Sequence, residues 1–270
     1  MAANTLKNGG DIGVPSAGVV VGTSDQRQPA GISEPGSSVG DSAGFDQFAP
    51  AYDAALQQGL SATGESKDYF AHGRVQWLGN YVARTGLRPK HILDFGCGTG
   101  TSVPLLRSLP GVEAVTGVDT SEESLRVGAG EYGSLGNIQF ATLERLPPAG
   151  NMDIAFCNGV FHHIPLKDRA GAMRYVFDSL KPGGVFAFWE NNPWNPGTRY
   201  VMSRIPFDAD AITLSPPEAA GLSRAGGFEV LATRFLFFFP RSLAFLRPLE
   251  VMMERIPLGG QYIVLCRKPV

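Results

Sequence analysis

Short, almost wholly apolar runs recur along this chain at intervals that leave room for a helix between them: 91–95, 114–118, 138–141, 152–157, 185–189, 228–236 and 262–266. Strands with no polar face must be covered on both sides, and helices that join parallel strands provide that cover. The order therefore predicts an α/β fold: a doubly wound, mostly parallel sheet of seven strands. Lys181-Pro182-Gly183-Gly184 marks a turn into the fifth strand, and Ala225-Gly226-Gly227 a turn into the sixth. Two helices are expected ahead of the first strand, the second over 68–85, where Phe70, Val75, Leu78 and Val82 fall near helical spacing.

A length of 270 residues suits one such domain. Residues 1–44 hold nine glycines and no aromatic residue, too little apolar area to offset ordering, so they read as a disordered tail. Within them Val19-Val20-Val21 is too isolated to stand as a strand. Aromatic content rises at Phe45, and 45–270 reads as the folded domain. The formal net charge of -2 supplies no basic footprint, which argues against a nucleic acid partner. The three cysteines, Cys97, Cys157 and Cys266, are too far apart for a metal knuckle, so no metal is expected. They read as reduced thiols of a cytoplasmic protein. No apolar stretch is long enough to span a bilayer, and the N-terminus lacks the pattern of a secretory signal.

Chemistry concentrates at Ile92-Leu93-Asp94-Phe95-Gly96-Cys97-Gly98-Thr99-Gly100, a strand that runs into alternate glycines before a helix. Glycine lets the chain turn sharply there and lets a ligand approach the backbone. A dinucleotide fingerprint needs its third glycine at Thr101, so the match to G-x-G-x-x-G is incomplete. Asp94 would repel a pyrophosphate and attract an ammonium or sulfonium. Asp119, after the second strand, can accept both hydroxyls of a ribose, with Thr120 or Ser121 left to cap the next helix.

The 92–100 segment resembles, at every position, the first motif of the class I S-adenosylmethionine (SAM)-dependent methyltransferases, and the likeness extends over most of 45–270. Within that family it looks most like the ubiquinone/menaquinone-type small-molecule enzymes. The resemblance implies the Rossmann-like class I methyltransferase fold, with N-terminal helices and an acceptor-side cap. It implies SAM as cofactor, held by Asp94, Gly96, Cys97, Gly98, Gly100, Asp119 and Thr120. By the same likeness Leu143 and Glu144 would meet the adenine, although family members usually carry aspartate earlier in this turn. Asn158 and Gly159 would lie beneath the ribose and methionine, and Tyr52 and Arg74 would reach the carboxylate.

The methyl acceptor belongs outside the carboxyl ends of strands four to six. His162, His163 and Glu190 are the candidate bases there, should the acceptor carry a proton of high pKa. Asn192-Pro193-Trp194 only partly matches the Asn-Pro-Pro-aromatic motif of DNA amino methyltransferases and follows the wrong strand, so that reading is set aside. Trp194 and Tyr200 are candidate pocket walls. Leu243, Leu246, Leu249 and Met253 predict an amphipathic lid helix over 241–256, which favours a hydrophobic or aromatic acceptor. This apolar stretch leaves peripheral membrane contact open, but the lysine-rich face that such contact wants is missing. The alternatives are an NAD(P)-dependent oxidoreductase and a SAM-binding protein without turnover.

Overall fold

In the computed structural model the described residues are 52–208 and 211–270, without the side chains of 52–55 and 207. The tail read over 1–44, the run 19–21, the segment leading to Ala51 and the side chain of Tyr52 lie outside the described residues.

Seven strands form one sheet in the order β3-β2-β1-β4-β5-β7-β6. In chain order they are β1 (His91–Phe95), β2 (Ala114–Asp119), β3 (Ile138–Thr142), β4 (Met152–Asn158), β5 (Leu180–Asn191), β6 (Glu229–Leu236) and β7 (Gln261–Arg267). The first five pair in parallel, while β7 lies antiparallel to both β5 and β6. The α/β reading from the sequence therefore holds, and the order reverses beside β1, where open sheets of this kind bind ligands.

The helices are α1 (Tyr52–Leu60), α2 (Lys67–Thr85), α3 (Val103–Arg107), α4 (Glu122–Tyr132), α5 (Arg169–Ser179), α6 (Pro196–Met202), α7 (Pro216–Ala225) and α8 (Glu250–Met253). Their ends follow from local chemistry. The Ser66 side chain accepts from Tyr69 N at the start of α2, and Gly86 ends it in the left-handed region at φ 72°. Ser121 caps α4, and Ser215 with Glu218 forms a capping box on α7.

Two apolar cores explain why the central strands carry no polar face. On one side Phe186 and Phe188 of β5 join Ala155 and Cys157 of β4 and Met173 of α5. On the other, Ala187 and Trp189 join Ile154, Phe156 and the α2 residues Trp77 and Leu78. Cys157 and Cys266 are buried in strands as thiols.

Two expectations need correction. The 181–184 turn lies inside β5, where Gly183 at φ 79° accommodates an irregular register between Met152 and Ile154 of β4. The predicted helix over 241–256 is broken. A 3-10 stretch, Arg241–Leu249, kinks at Leu243 and contains Pro248, and only the four residues of α8 are α-helical. Proline removes a donor and clashes with the preceding turn, which defeats the helical spacing of the leucines. Leu243, Leu249 and Met252 of this segment stay exposed. Among the described residues no helix is long and apolar enough to cross a membrane.

Phe188 is fully buried, with ring centroids 4.6 Å from Phe161 and 5.2 Å from Phe186. Phe188→Ala should cost about 3–5 kcal/mol in urea unfolding, while Phe245→Ala, at a side chain 76% exposed, should stay within about 0.5 kcal/mol of the parent.

Candidate functional site

The glycine loop after β1 is shaped from both sides. Gly96 takes φ 70°, and a Cβ added to it would stand 2.3 Å from Val160 Cγ2, so only glycine passes beneath the loop that follows β4. Gly98 takes φ 52°, and a Cβ there would meet nothing within 4 Å: its backbone faces open space. Asp119, at the end of β2, locks the loop, since its Oδ2 accepts from Gly98 N at 2.8 Å and its Oδ1 from Ser121 N at 3.0 Å. Ser121, not Thr120, is the cap of α4. Cys97 is half-buried in the loop, where burial and the nearby carboxylates push its thiol up.

Beneath the loop Asp94 is buried, and its Oδ2 has no partner among the described residues. Burial raises its carboxyl, the nearby Asp119 raises it further and Arg74 opposes them, leaving it pushed up to about 7. Arg74 is not a solvated helix residue: it is buried, and its Nη1 donates to Gln261 Oε1 at 2.9 Å. Asn158 ends β4 with its Oδ1 buried and likewise without a partner among the described residues. After β3, Leu143 packs on the core and Glu144 points to solvent.

A chamber of about 460 Å³ opens at Asn158 and Gly159, where β4 runs into its loop; no residue of the glycine loop lines it. Arg74, Asn158, Gly159, His162, His163 and Asp208 form its polar wall, and Phe70 and Phe237–Phe239 face it. Phe237 sits at φ 62°, unusual for a large residue, with its ring 5.0 Å from that of Phe70. The aromatic wall is pinned from behind, because Glu250 Oε1 accepts from Phe238 N at 3.1 Å and Phe239 N at 3.0 Å. Arg247 pairs with Glu65 at 2.7 Å and lies 4.5 Å over the ring of Tyr69. Tyr200 lines the chamber as expected, but Trp194 does not and is exposed. The 241–256 segment likewise supports the aromatic wall without lining the chamber. Asn192 is structural, donating to Pro257 O and Gly259 O.

The three candidate bases from the sequence converge. Glu190 ends the apolar run of β5 with 1% exposure, accepting from Phe161 N at 2.9 Å through Oε1 and pairing with His162 Nδ1 at 2.5 Å through Oε2. Asp208, which the sequence reading missed, completes the group: its Oδ1 is 3.3 Å from His163 Nε2 and 3.7 Å from His162 Nε2. It ends the three-residue 3-10 turn Pro206–Asp208 in the loop after α6, where there is no periodicity, so no local signal marks it. Arg169 holds that loop in place, donating to Ile164 O at 3.0 Å and Ile212 O at 2.6 Å, while Ile212 N donates to His162 O at 2.9 Å. Burial by itself lowers His162, but Glu190 and Asp208 override it and push the imidazole up to about 10. Burial and the neighbouring His162 hold His163 below its ordinary value against the pull of Asp208. The two imidazoles keep Asp208 low despite its burial.

Comparisons with known proteins identify the family. Residues 92–184 match the family model of a methyltransferase domain. The trans-aconitate 2-methyltransferase of Agrobacterium fabrum is 35% identical over 94 residues, 35% of this chain and 36% of that protein, so the chain spans only about a third of that relative's length. The ubiquinone biosynthesis O-methyltransferase of Pseudomonas aeruginosa is 30% identical over 177 residues, covering 58% of this chain and 71% of the relative. Among solved structures, a SAM-dependent methyltransferase of Thermotoga maritima, titled a possible histamine N-methyltransferase, superposes with a TM-score of 0.54. It is 18% identical and covers 84% of this chain and 99% of its own, so this likeness speaks for the fold alone. From strand order, first motif and these relatives together, the chain belongs to the class I SAM-dependent methyltransferases.

Proposed function

We propose that the protein transfers a methyl group from SAM to a small metabolite with a hydrophobic or aromatic body, seated in the chamber beside His163. The observation that carries this reading is the buried Asp94 carboxyl, one oxygen unpartnered, beneath a glycine loop that faces open space. A diphosphate would meet repulsion from Asp94 and Asp119, whereas a cationic nucleoside is attracted. Asp94, Gly96, Cys97, Gly98, Gly100, Asp119 and Thr120 would hold SAM, with Leu143 and Glu144 near the adenine. Asn158, Gly159, Arg74 and Tyr52 would lie toward its methionine end.

Bound there, SAM supplies an electrophilic methyl on a sulfonium, a good leaving group, so alignment carries much of the acceleration. The chain's own residues do the aligning. Phe70 and Phe237–Phe239 take the apolar body of the acceptor and exclude water. His163, held below its ordinary value and facing the chamber beside Asp208, is the side chain placed to take the proton of the acceptor, while Glu190 stands behind the wall and orients His162. The relatives' own names give small acceptors, and the net charge of -2 suits a metabolite better than a nucleic acid.

Calorimetry is expected to show SAM binding and no binding of NAD; a preference for NAD would reverse the assignment. Gly98→Val, placing a side chain in the open space above the loop, should weaken SAM at least tenfold, and unchanged affinity would mean that the cofactor lies elsewhere. The charge on Asp94 gives a pH signature. With its carboxyl pushed up to about 7, protonation at lower pH removes the attraction, so SAM should bind more tightly at pH 8 than at pH 6. Asp94→Asn should flatten that dependence.

Formation of S-adenosylhomocysteine on a panel of aromatic metabolites separates an enzyme from a SAM-binding protein without turnover. His162→Ala and His163→Ala should each lower that formation by about a hundredfold or more while SAM affinity holds. Near-normal turnover in both would remove them from the chemistry.

A further inference from the structure

At one corner of the chamber the side chains form a set of metal ligands as well as a proton-handling group. His162 Nε2 and His163 Nε2 both face Asp208 Oδ1, at 3.7 and 3.3 Å, and one ligand atom from each of the three residues lies within 4.8 Å of the others. A tetrahedral zinc ion with bonds of about 2.0–2.1 Å to imidazole nitrogen and carboxylate oxygen sets its donors roughly 3.3–3.4 Å apart. Small side-chain rotations therefore bring all three donors onto one ion.

The surroundings match such a centre. Glu190 Oε2 engages His162 Nδ1 at 2.5 Å, which orients the ring and directs Nε2 toward Asp208. A carboxylate behind a ligating histidine is the usual support of a zinc site. Glu190 is itself fixed by Phe161 N at 2.9 Å. Asp208 and Glu190 are both buried carboxylates, and a dication at this corner would take the place of the proton that they now hold on His162. The three donors are all part of the chamber wall, so a fourth coordination position opens toward the acceptor space.

We propose that His162, His163 and Asp208 hold a Zn²⁺ ion in the chamber wall, with Glu190 orienting His162, and that the acceptor binds the ion through a phenolic or enolic hydroxyl. The site deepens the methyltransferase reading and its role rests on the chamber being the acceptor site. On binding, the hydroxyl O–H bond breaks, the proton passes to bulk water, and the oxygen forms the fourth bond to Zn²⁺. The nucleophile is then an oxygen already free of its hydrogen at neutral pH, beside the aromatic wall that holds its ring.

The full-length protein, stripped with a chelator, should take up one equivalent of Co²⁺ with the intense visible absorption of a four-coordinate centre, and Zn²⁺ should displace it. His163→Ala and Asp208→Asn should each weaken Zn²⁺ at least about tenfold, with SAM affinity and far-UV circular dichroism unchanged. Catechol, used as the hydroxyl probe, should shift the Co²⁺ spectrum. A wild-type chain that binds SAM but takes up neither metal overturns the site, as does metal binding that survives both substitutions. A Co²⁺ spectrum that catechol leaves unaltered overturns the acceptor's place on the ion. An intact Co²⁺ centre in a chain that fails to bind SAM would support the metal site and strike the cofactor reading instead.

Discussion

The buried carboxylate of Glu190 organises the whole acceptor end of the sheet. An acid with 1% exposure at the end of an apolar strand is costly unless its oxygens find partners, and here Phe161 N takes one and His162 Nδ1 the other. That demand pulls the loop after β4 down onto the tip of β5. His162 in turn offers its carbonyl to Ile212 N, and Arg169 ties Ile164 and Ile212 together, so Ile212 is drawn over the same corner. Asp208 arrives beside the two histidines as a consequence.

The cofactor loop and the chamber share a border but differ in charge. Around the loop two acids, Asp94 and Asp119, dominate, and Arg74 of α2 moderates Asp94. Across the border, aromatic rings make up most of one wall and the histidine–carboxylate group another. A cation is thus favoured on one side and an apolar body on the other, which is the division that transfer of a methyl group from a sulfonium to a hydrophobic acceptor needs. Arg74 stands on the border, lining the chamber while its charge acts on Asp94, and Asn158 lines the chamber from the end of β4.

The aromatic wall shows how an irregular segment can serve where a helix was expected. Helical spacing of the leucines in 243–253 is real in the sequence, yet Pro248 and the kink at Leu243 prevent a continuous helix. What the segment contributes is polar: Glu250 takes the amides of Phe238 and Phe239, and Arg247 reaches Glu65 and the face of Tyr69. Those bonds fix the backbone of the three phenylalanines, and Phe237 keeps its left-handed conformation because its ring is held against Phe70 and Tyr69.

The sequence by itself determined the strands, the class of sheet and the loop after β1. Apolar periodicity and glycine spacing are local properties, and burial on both faces leaves a run no other place than the centre of a sheet. It also put His162 and His163 just past β4 and Glu190 near the end of β5, since those strands could be read. Tertiary structure alone decided that Glu190 would grip His162, that Arg74 would be buried on Gln261, and that Asp208 would close the group. Those partners are separated by 28, 187 and, for Asp208, some 45 residues of chain, and a contact across such distances leaves no pattern in the residues between, because it is set by how the layers pack and where buried charge must find a partner.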